Sequence, residues 1–398
     1  MKRIYVVGTA DTKAEELRYL LDTIRGAGRD AVLVDVGTTS HDPVDGIQPA
    51  EVVAQGPAHV AAAIASGDRG RAVAAMGEAF AAFIAGRRDI AGIIGIGGGG
   101  GTSIVAAGMR ELAFGIPKIM VSTLASGDTA PYVGISDIAM VPAVTDLAGL
   151  NRISRVVLGN AGRAIAAMSA ADAAPAADAR PAIGLTMFGV TTTCVTMVAD
   201  RLKADFDCLV FHATGTGGRT MEKLATSGML AGLVDITTTE IADLLCGGVL
   251  SAGETRLDAA VETGLPYVGS VGAVDMVNFW APETIPAQYA DRLFHRHNPN
   301  VTLMRTTADE NARIGAFIGE KLARHPGSVR FLLPEKGVSA LDVEGGAFFD
   351  PDADAALFDA IERTGEWGGN RQLLRLPFHI NDPEFADAAA AAFRDIAS

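Results

Sequence analysis

Gly92-Ile93-Ile94-Gly95-Ile96-Gly97-Gly98-Gly99-Gly100-Gly101-Thr102-Ser103 is the stretch that decides the fold. A short apolar run enters five consecutive glycines, and a helical pattern follows from about Ile104 to Leu112. Buried strand, glycine turn and helix start, in that order, open a βα unit of a parallel sheet. Glycines let backbone N–H groups approach an anion closely, and the start of a helix favours phosphate or carboxylate. The run is not a Walker loop, because no Gly-Lys-Ser/Thr closes it. Nor is it a clean dinucleotide fingerprint, which needs an acidic residue about 20 positions further on. As a bare turn, five glycines would only cost conformational entropy. Gly97, Gly98, Gly99, Gly100, Gly101 and Thr102 are therefore read as an anion-binding loop.

Similar units lie on both sides. In the first half the strand candidates are Arg3–Val7, Ala31–Val36, Gly92–Ile96, Lys118–Ser122 and Asp137–Val141. Between the first two, Lys13–Gly26 places Leu17, Leu20, Leu21 and Ile24 on one helical face. The turn after the first strand, Gly8-Thr9-Ala10-Asp11-Thr12-Lys13-Ala14-Glu15, predicts a capping box between Thr12 and Glu15. That leaves Gly8, Thr9, Asp11 and Lys13 to face a ligand. Asp35 ends the second strand, where ribose-binding acids sit in nucleotide folds. Ser122 and Thr123 are expected beside the glycine loop, with Asp128 or Asp137 available to hold a magnesium ion through water.

Residues 169–181 are low-complexity and read as a linker between domains 1–168 and 182–398. The second half repeats the plan, with strand candidates Ala182–Met187, Cys208–His212, Leu233–Thr237, Tyr267–Ser270, Thr302–Met304 and Val329–Leu333. The expected fold class is α/β: two tandem Rossmann-like domains with mainly parallel sheets and a ligand cleft between them.

A second glycine-rich turn, Thr214-Gly215-Thr216-Gly217-Gly218-Arg219, follows Cys208–His212. Arg219 offers a bidentate fork for an anion, so these six residues are the candidate substrate loop. His212, at a strand end, is a candidate acid or base near neutral pH. The bland alternatives are a core histidine and a surface arginine. Asp235 and Glu240 are further acid–base candidates, and Asp275 is a third carboxylate able to join them. His295 and His297 have a spacing compatible with metal binding that is weak alone, and no metal centre is expected. Arg305 sits at a strand end where an anion can meet it, and Asp382, before a proline, is an expected helix cap. No G-x-S-x-G is present, so a hydrolase elbow is unsupported.

Composition narrows the classes. Of 398 residues, 49% are hydrophobic and 20% charged, which excludes disorder as the main state. No apolar run reaches the length of a membrane span. Three cysteines without CxxC spacing argue against a disulfide scaffold and for a reduced, cytoplasmic compartment. The net charge of −14, with 17 basic against 29 acidic residues after position 180, argues against nucleic acid as a partner. An anionic substrate then needs local backbone and arginine help.

Jointly, several segments resemble one family. They are Gly8-Thr9 with Asp11-Thr12-Lys13; the glycine run with Thr102; Pro117-Lys118 through Val121-Ser122-Thr123; and Gly149-Leu150-Asn151. In the second half they are Met187 to Thr192, Phe211 to Gly218, Asp235 with Thr237 to Glu240, His297-Asn298-Pro299 and His379 to Asp382. The chain is similar over nearly its whole length to the Tm-one-like ATP-binding domain proteins. That family is named after the amino-terminal part of a tomato protein conferring resistance to tomato mosaic virus. The resemblance implies two Rossmann-like domains, a homodimer and ATP, with or without Mg2+, as ligand. Two functions follow as expectations: an enzyme acting on a small anionic metabolite in the cleft, or a nucleotide-responsive binding module without turnover.

Overall fold

The structure, a computed structural model, describes residues 2–170 and 180–397, so most of the expected linker lies outside the described residues. The chain divides into two compact units, whose described parts are these two ranges.

The first unit is built on five parallel strands: β1 (Arg3–Gly8), β2 (Ala31–Asp35), β3 (Ile90–Gly97), β4 (Lys118–Ser122) and β5 (Ala139–Pro142), in spatial order β2-β1-β3-β4-β5. Successive side chains of a strand point to opposite faces, and here both faces are apolar. Ile4, Val6, Ile94 and Ile96 pack under helices Ala10–Gly26 and Arg152–Met168. Tyr5, Val7 and Ile93 pack on the other side under helices Arg69–Ala85 and Gly99–Glu111. The helices that follow β1 and β3 thus lie on opposite faces. The carboxyl ends of these adjacent strands form a topological switch point, where open α/β sheets bind ligands.

The second unit has six parallel strands: β6 (Ala182–Met187), β7 (Asp207–His212), β8 (Gly232–Thr237), β9 (Tyr267–Gly272), β13 (Val329–Pro334) and β14 (Arg371–Leu376). A three-stranded antiparallel sheet, β10 (Met276–Phe279), β11 (Phe294–Asn298) and β12 (Val301–Arg305), is inserted after β9. The parallel order is β14-β13-β9-β8-β6-β7. Counted within each unit, both sheets read 2-1-3-4-5, the second adding one further strand. This is the flavodoxin-type doubly wound order rather than 3-2-1-4-5-6. Helices Thr192–Leu202 and Pro383–Ile396 cover one face. Helices Thr216–Thr226, Ala308–Ala323 and Pro351–Thr364 cover the other.

Among the described residues, no helix is long and apolar enough to cross a membrane. The three cysteines are free, and burial pushes the thiols of Cys194 and Cys246 up to about 12.

Candidate functional site

In the first unit a cavity of about 390 Å³ opens at the β1–β3 switch point, lined by Thr9, Asp11, Lys13, Arg69 and Gly98–Gly101 among others. Three long helices begin at its wall. Ala10–Gly26 starts after Thr9, Arg69–Ala85 after its N-cap Asp68, and Gly99–Glu111 after its N-cap Gly98. The first intrahelical bond of the last is donated by Thr102 N–H to the Gly98 carbonyl, 2.8 Å. The N–H groups of Gly99, Gly100 and Gly101 precede it and have no intrahelical partner.

The glycines fall into two classes. At Gly97 a Cβ would lie 2.6 Å from the Thr102 nitrogen, so the turn onto the helix requires glycine there. At Gly98 to Gly101 a Cβ would meet nothing nearer than 3.3 Å, and none of the four has a left-handed φ. The chain's own packing does not demand these four glycines.

Other predicted residues serve this frame. Thr102 and Ser122 are fully buried and bonded to each other, 2.7 Å, bracing the start of the helix against the end of β4. Thr123 stands beside the loop as expected, its N–H donating to the Gly97 carbonyl at 3.2 Å, and it also lines a separate cavity with Thr145 and Asp146. Gly8 is the buried last residue of β1. Lys13 lines the cavity, and its ammonium donates to the Leu147 carbonyl, 2.6 Å. The carboxylate of Asp11 takes the Thr39 hydroxyl at 2.6 Å.

Several expectations are corrected. The capping box at Thr12 does not form: the Thr12 hydroxyl donates to the Thr9 carbonyl, 3.3 Å, and Ala10–Gly26 is kinked at Lys13 (φ −135°, ψ 24°), so its regular part follows Lys13 as expected. Asp35 accepts the Ala10 N–H at 3.0 Å and holds the short turn that precedes the kink. Asp35 also accepts Gly37 N–H at 2.8 Å and lies 2.7 Å from His41 Nε2. Fully buried, it organises the turn and presents no free oxygen edge to a ribose. The Thr39 carbonyl, and after it Asp35, raise the pKa of His41. Asp137 is bound by Lys118 and Gly115, Asp128 caps its own turn, and neither lines the cavity. Arg69 is the cation the sequence pattern did not single out; nothing local marks it among surface arginines.

In the second unit a cavity of about 550 Å³ lies beyond the ends of β6 and β7, walled by the antiparallel insert. His212, Thr214, Gly215, Thr216 and Arg219 line it, with Trp280 and His297. The His212 ring stacks on Phe188, centroids 5.4 Å apart.

Asp235 and Glu240 are elsewhere. Both are fully buried around Arg256, itself 1% exposed. The guanidinium meets Asp235 at 2.7 and 2.8 Å, Glu240 at 2.8 Å and Glu222 at 3.0 Å. The other oxygen of Glu240 accepts the N–H groups of Gly215, 2.7 Å, and Gly218, 3.1 Å. An internal carboxylate therefore occupies the helix start that the sequence offers to a substrate anion. The glycines are needed for this: a Cβ at Gly218 would lie 2.0 Å from Glu240, and one at Gly217 1.8 Å from the His212 carbonyl. Burial lifts the Glu222 carboxyl to about 7 against the pull of Arg256.

Asp275 does not join that group. It bonds Ser339 at 2.7 Å in a second buried cluster with Arg305, Asp342 and Asp354. Arg305 is consumed there, by Asp354 at 3.0 Å and the Phe348 carbonyl at 2.7 Å. Asp382 is the N-cap residue of Pro383–Ile396, though its carboxylate takes the His379 N–H instead of a helical one. His295 packs edge-on to Phe348, while His297 faces the cavity. Among the described residues no group of three or more His, Cys, Asp or Glu is placed to hold a metal ion.

Two family models match in register with the two units: the N-terminal domain of the uncharacterised protein family UPF0261 over residues 2–174, and its C-terminal domain over 180–397. The chain belongs to the UPF0261 family. A UPF0261 protein of Rhizobium meliloti is 64% identical over the full length of both chains. One of Clostridium tetani is 44% identical over 394 residues, 98% of this chain and 97% of that one. The ToMV resistance protein Tm-1(GCR237) of Solanum lycopersicum is 42% identical over 422 residues, covering 99% of this chain and 56% of the tomato protein.

Proposed function

We propose that the first unit binds a phosphate-bearing ligand, with ATP the leading candidate, and that the protein is an enzyme acting on a small anionic metabolite. One observation carries the phosphate reading. Gly98 to Gly101 line a cavity, the N–H groups of Gly99 to Gly101 have no partner among the described residues, and a Cβ would fit at Gly98, Gly99 and Gly101 and be tight only against Val73 at Gly100. Glycine at the helical positions Gly99, Gly100 and Gly101 costs helix stability without a structural return. What it leaves is close access to the backbone donors of a helix amino terminus, which suits phosphate oxygens. Arg69 and Lys13 add positive charge. A neighbouring cavity of about 470 Å³ shares Thr38, Thr39 and Ile64 with this one and has an apolar wall of Pro43, Val53 and Met76, suited to a planar base.

His212 is the acid–base group in this reading. Asp235 and Glu240 are positioning residues, which hold the Gly215–Gly218 turn through Arg256. The second reading, nucleotide binding without turnover, is favoured by the cavity's carboxylates. Asp11 already holds Thr39, and Asp68 caps its own helix at Arg71, so neither is free to organise a metal for phosphoryl transfer.

The test is thermal stability of the purified protein against ATP, ADP, pyrophosphate and small carboxylates, with and without Mg2+. Ligand at about 100 times its dissociation constant adds roughly 2.7 kcal/mol. Stabilisation by ATP supports the reading, and its consumption or persistence then separates enzyme from binding module. No response to any phosphate compound would overturn it.

A further inference from the structure

The second unit's cavity carries its own chemistry. Arg219 is held by its Nε, which donates to the Gly215 carbonyl at 3.0 Å. Its two terminal nitrogens have no hydrogen-bond partner among the described residues, and the side chain lines the cavity. Among the described residues lining it, none is Asp or Glu, in a half of the chain where acids outnumber bases 29 to 17. Thr214, Thr216, Ser251, His297 and Asn298 add neutral polar groups, and the rest of the wall is apolar and aromatic, with Phe188, Val249, Leu303 and Trp280, the last 50% exposed. A large aromatic left open in such a cavity marks a binding surface.

We infer that this cavity binds a monocarboxylate with an apolar or aromatic body, its carboxylate on Arg219 and its body between Phe188 and Trp280. The charge favours one negative unit over two. Two of the helix-start N–H groups that would help neutralise a phosphate, those of Gly215 and Gly218, are already taken by Glu240, whose own charge lies behind the loop. A guanidinium fork matches carboxylate and phosphate alike, so the charge balance of the wall decides for the singly charged group. His212 borders the same cavity, and no protein group hydrogen-bonds its ring among the described residues. It is therefore placed to exchange a proton with the bound acid's neighbouring atoms. The inference rests on the proposed metabolite-enzyme reading for its context, and it specifies the substrate class.

Trp280 reports on the site directly, since the chain has only one other tryptophan, Trp367, packed on Phe331. In a Trp367→Phe variant, phenylacetate, phenylacetamide and phenyl phosphate are titrated against Trp280 fluorescence, with calorimetry on the unaltered protein as the parallel measurement. The expected result is that phenylacetate binds at least tenfold more tightly than the isosteric amide and than phenyl phosphate. Arg219→Gln removes the preference for acid over amide. Equal affinities for acid and amide, an unchanged preference in Arg219→Gln, tighter phenyl phosphate, or no binding of any probe would each overturn the inference. ATP plays no part in this titration, so failure of the phosphate site and failure of this one are read separately.

Discussion

Replacing Gly99 and Gly101 together by alanine separates a glycine kept for the fold from one kept for a ligand. Both lie in the first turn of Gly99–Glu111. An added Cβ would meet Leu124 at 3.7 Å in one case and the Ile96 carbonyl at 3.5 Å in the other, ordinary contacts that need no movement. Neither φ is left-handed. Alanine in a helix is favoured over glycine by about 0.5–1 kcal/mol per position. The double variant should therefore be more stable by about 1–2 kcal/mol. For a unit of this size that raises the melting temperature by roughly 2–8 °C. The same two methyl groups crowd the N–H donors, which a phosphate oxygen must approach to about 2.9 Å. ATP affinity, followed by calorimetry, should fall at least tenfold. Stability and binding thus move in opposite directions. A less stable variant, or one that binds ATP within twofold of the original, would refute the reasoning.

The remaining predictions concern the second unit. Gly217→Ala, whose Cβ would fall 1.8 Å from the His212 carbonyl, should destabilise by about 1–3 kcal/mol in urea unfolding, the reverse of the glycine substitutions above. Arg256→Met strands the buried carboxylates of Asp235, Glu240 and Glu222 and should cost about 3–5 kcal/mol. Arg256→Lys should not restore it, since one ammonium cannot replace three nitrogens reaching three acids; recovery of the original urea midpoint by lysine would contradict the assignment. Burial, and after it Asp342, holds the Asp354 carboxyl up at about 8, and burial lifts Asp275 to about 7. The folded chain keeps protons that the unfolded chain loses near pH 4, so stability falls as pH rises from about 4 to about 8, by on the order of a few kcal/mol. Asp354→Asn should flatten that fall between pH 5 and pH 8, and parallel curves for the two proteins would contradict it.

Much of this fold is legible in the sequence because parallel strands buried on both faces read as apolar runs. Ile93 to Ile96 and Val6-Val7 leave little choice. The edge strand β14 is hidden, because Arg371 and Arg375 interrupt it where one side faces solvent. So is β11, whose His295, Arg296 and His297 read as loop and earn strand geometry only by pairing with β12. At the sites, positions were legible and partners were not. Glycine runs at strand ends mark both loops. Whether the N–H groups of the second loop are free depends on Glu240, more than 20 residues beyond Gly215 in the chain and held by Arg256. The short turn before the Lys13 kink is the same effect: it is held by Asp35, a carboxylate 25 residues from Ala10 that no local pattern announces.

The central claim is that the Gly98–Gly101 amides are the phosphate donors. Glycine-selective nitrogen-15 labelling gives at most one amide signal for each of the 46 glycines, and ATP is then added. The account predicts that the largest shifts fall on Gly98, Gly99, Gly100 and Gly101, identified by single Gly→Ala variants, while Gly215 and Gly218, bonded to Glu240, stay in place. Shifts concentrated at Gly215 to Gly218, or no change at Gly98 to Gly101 under saturating ATP, would contradict it.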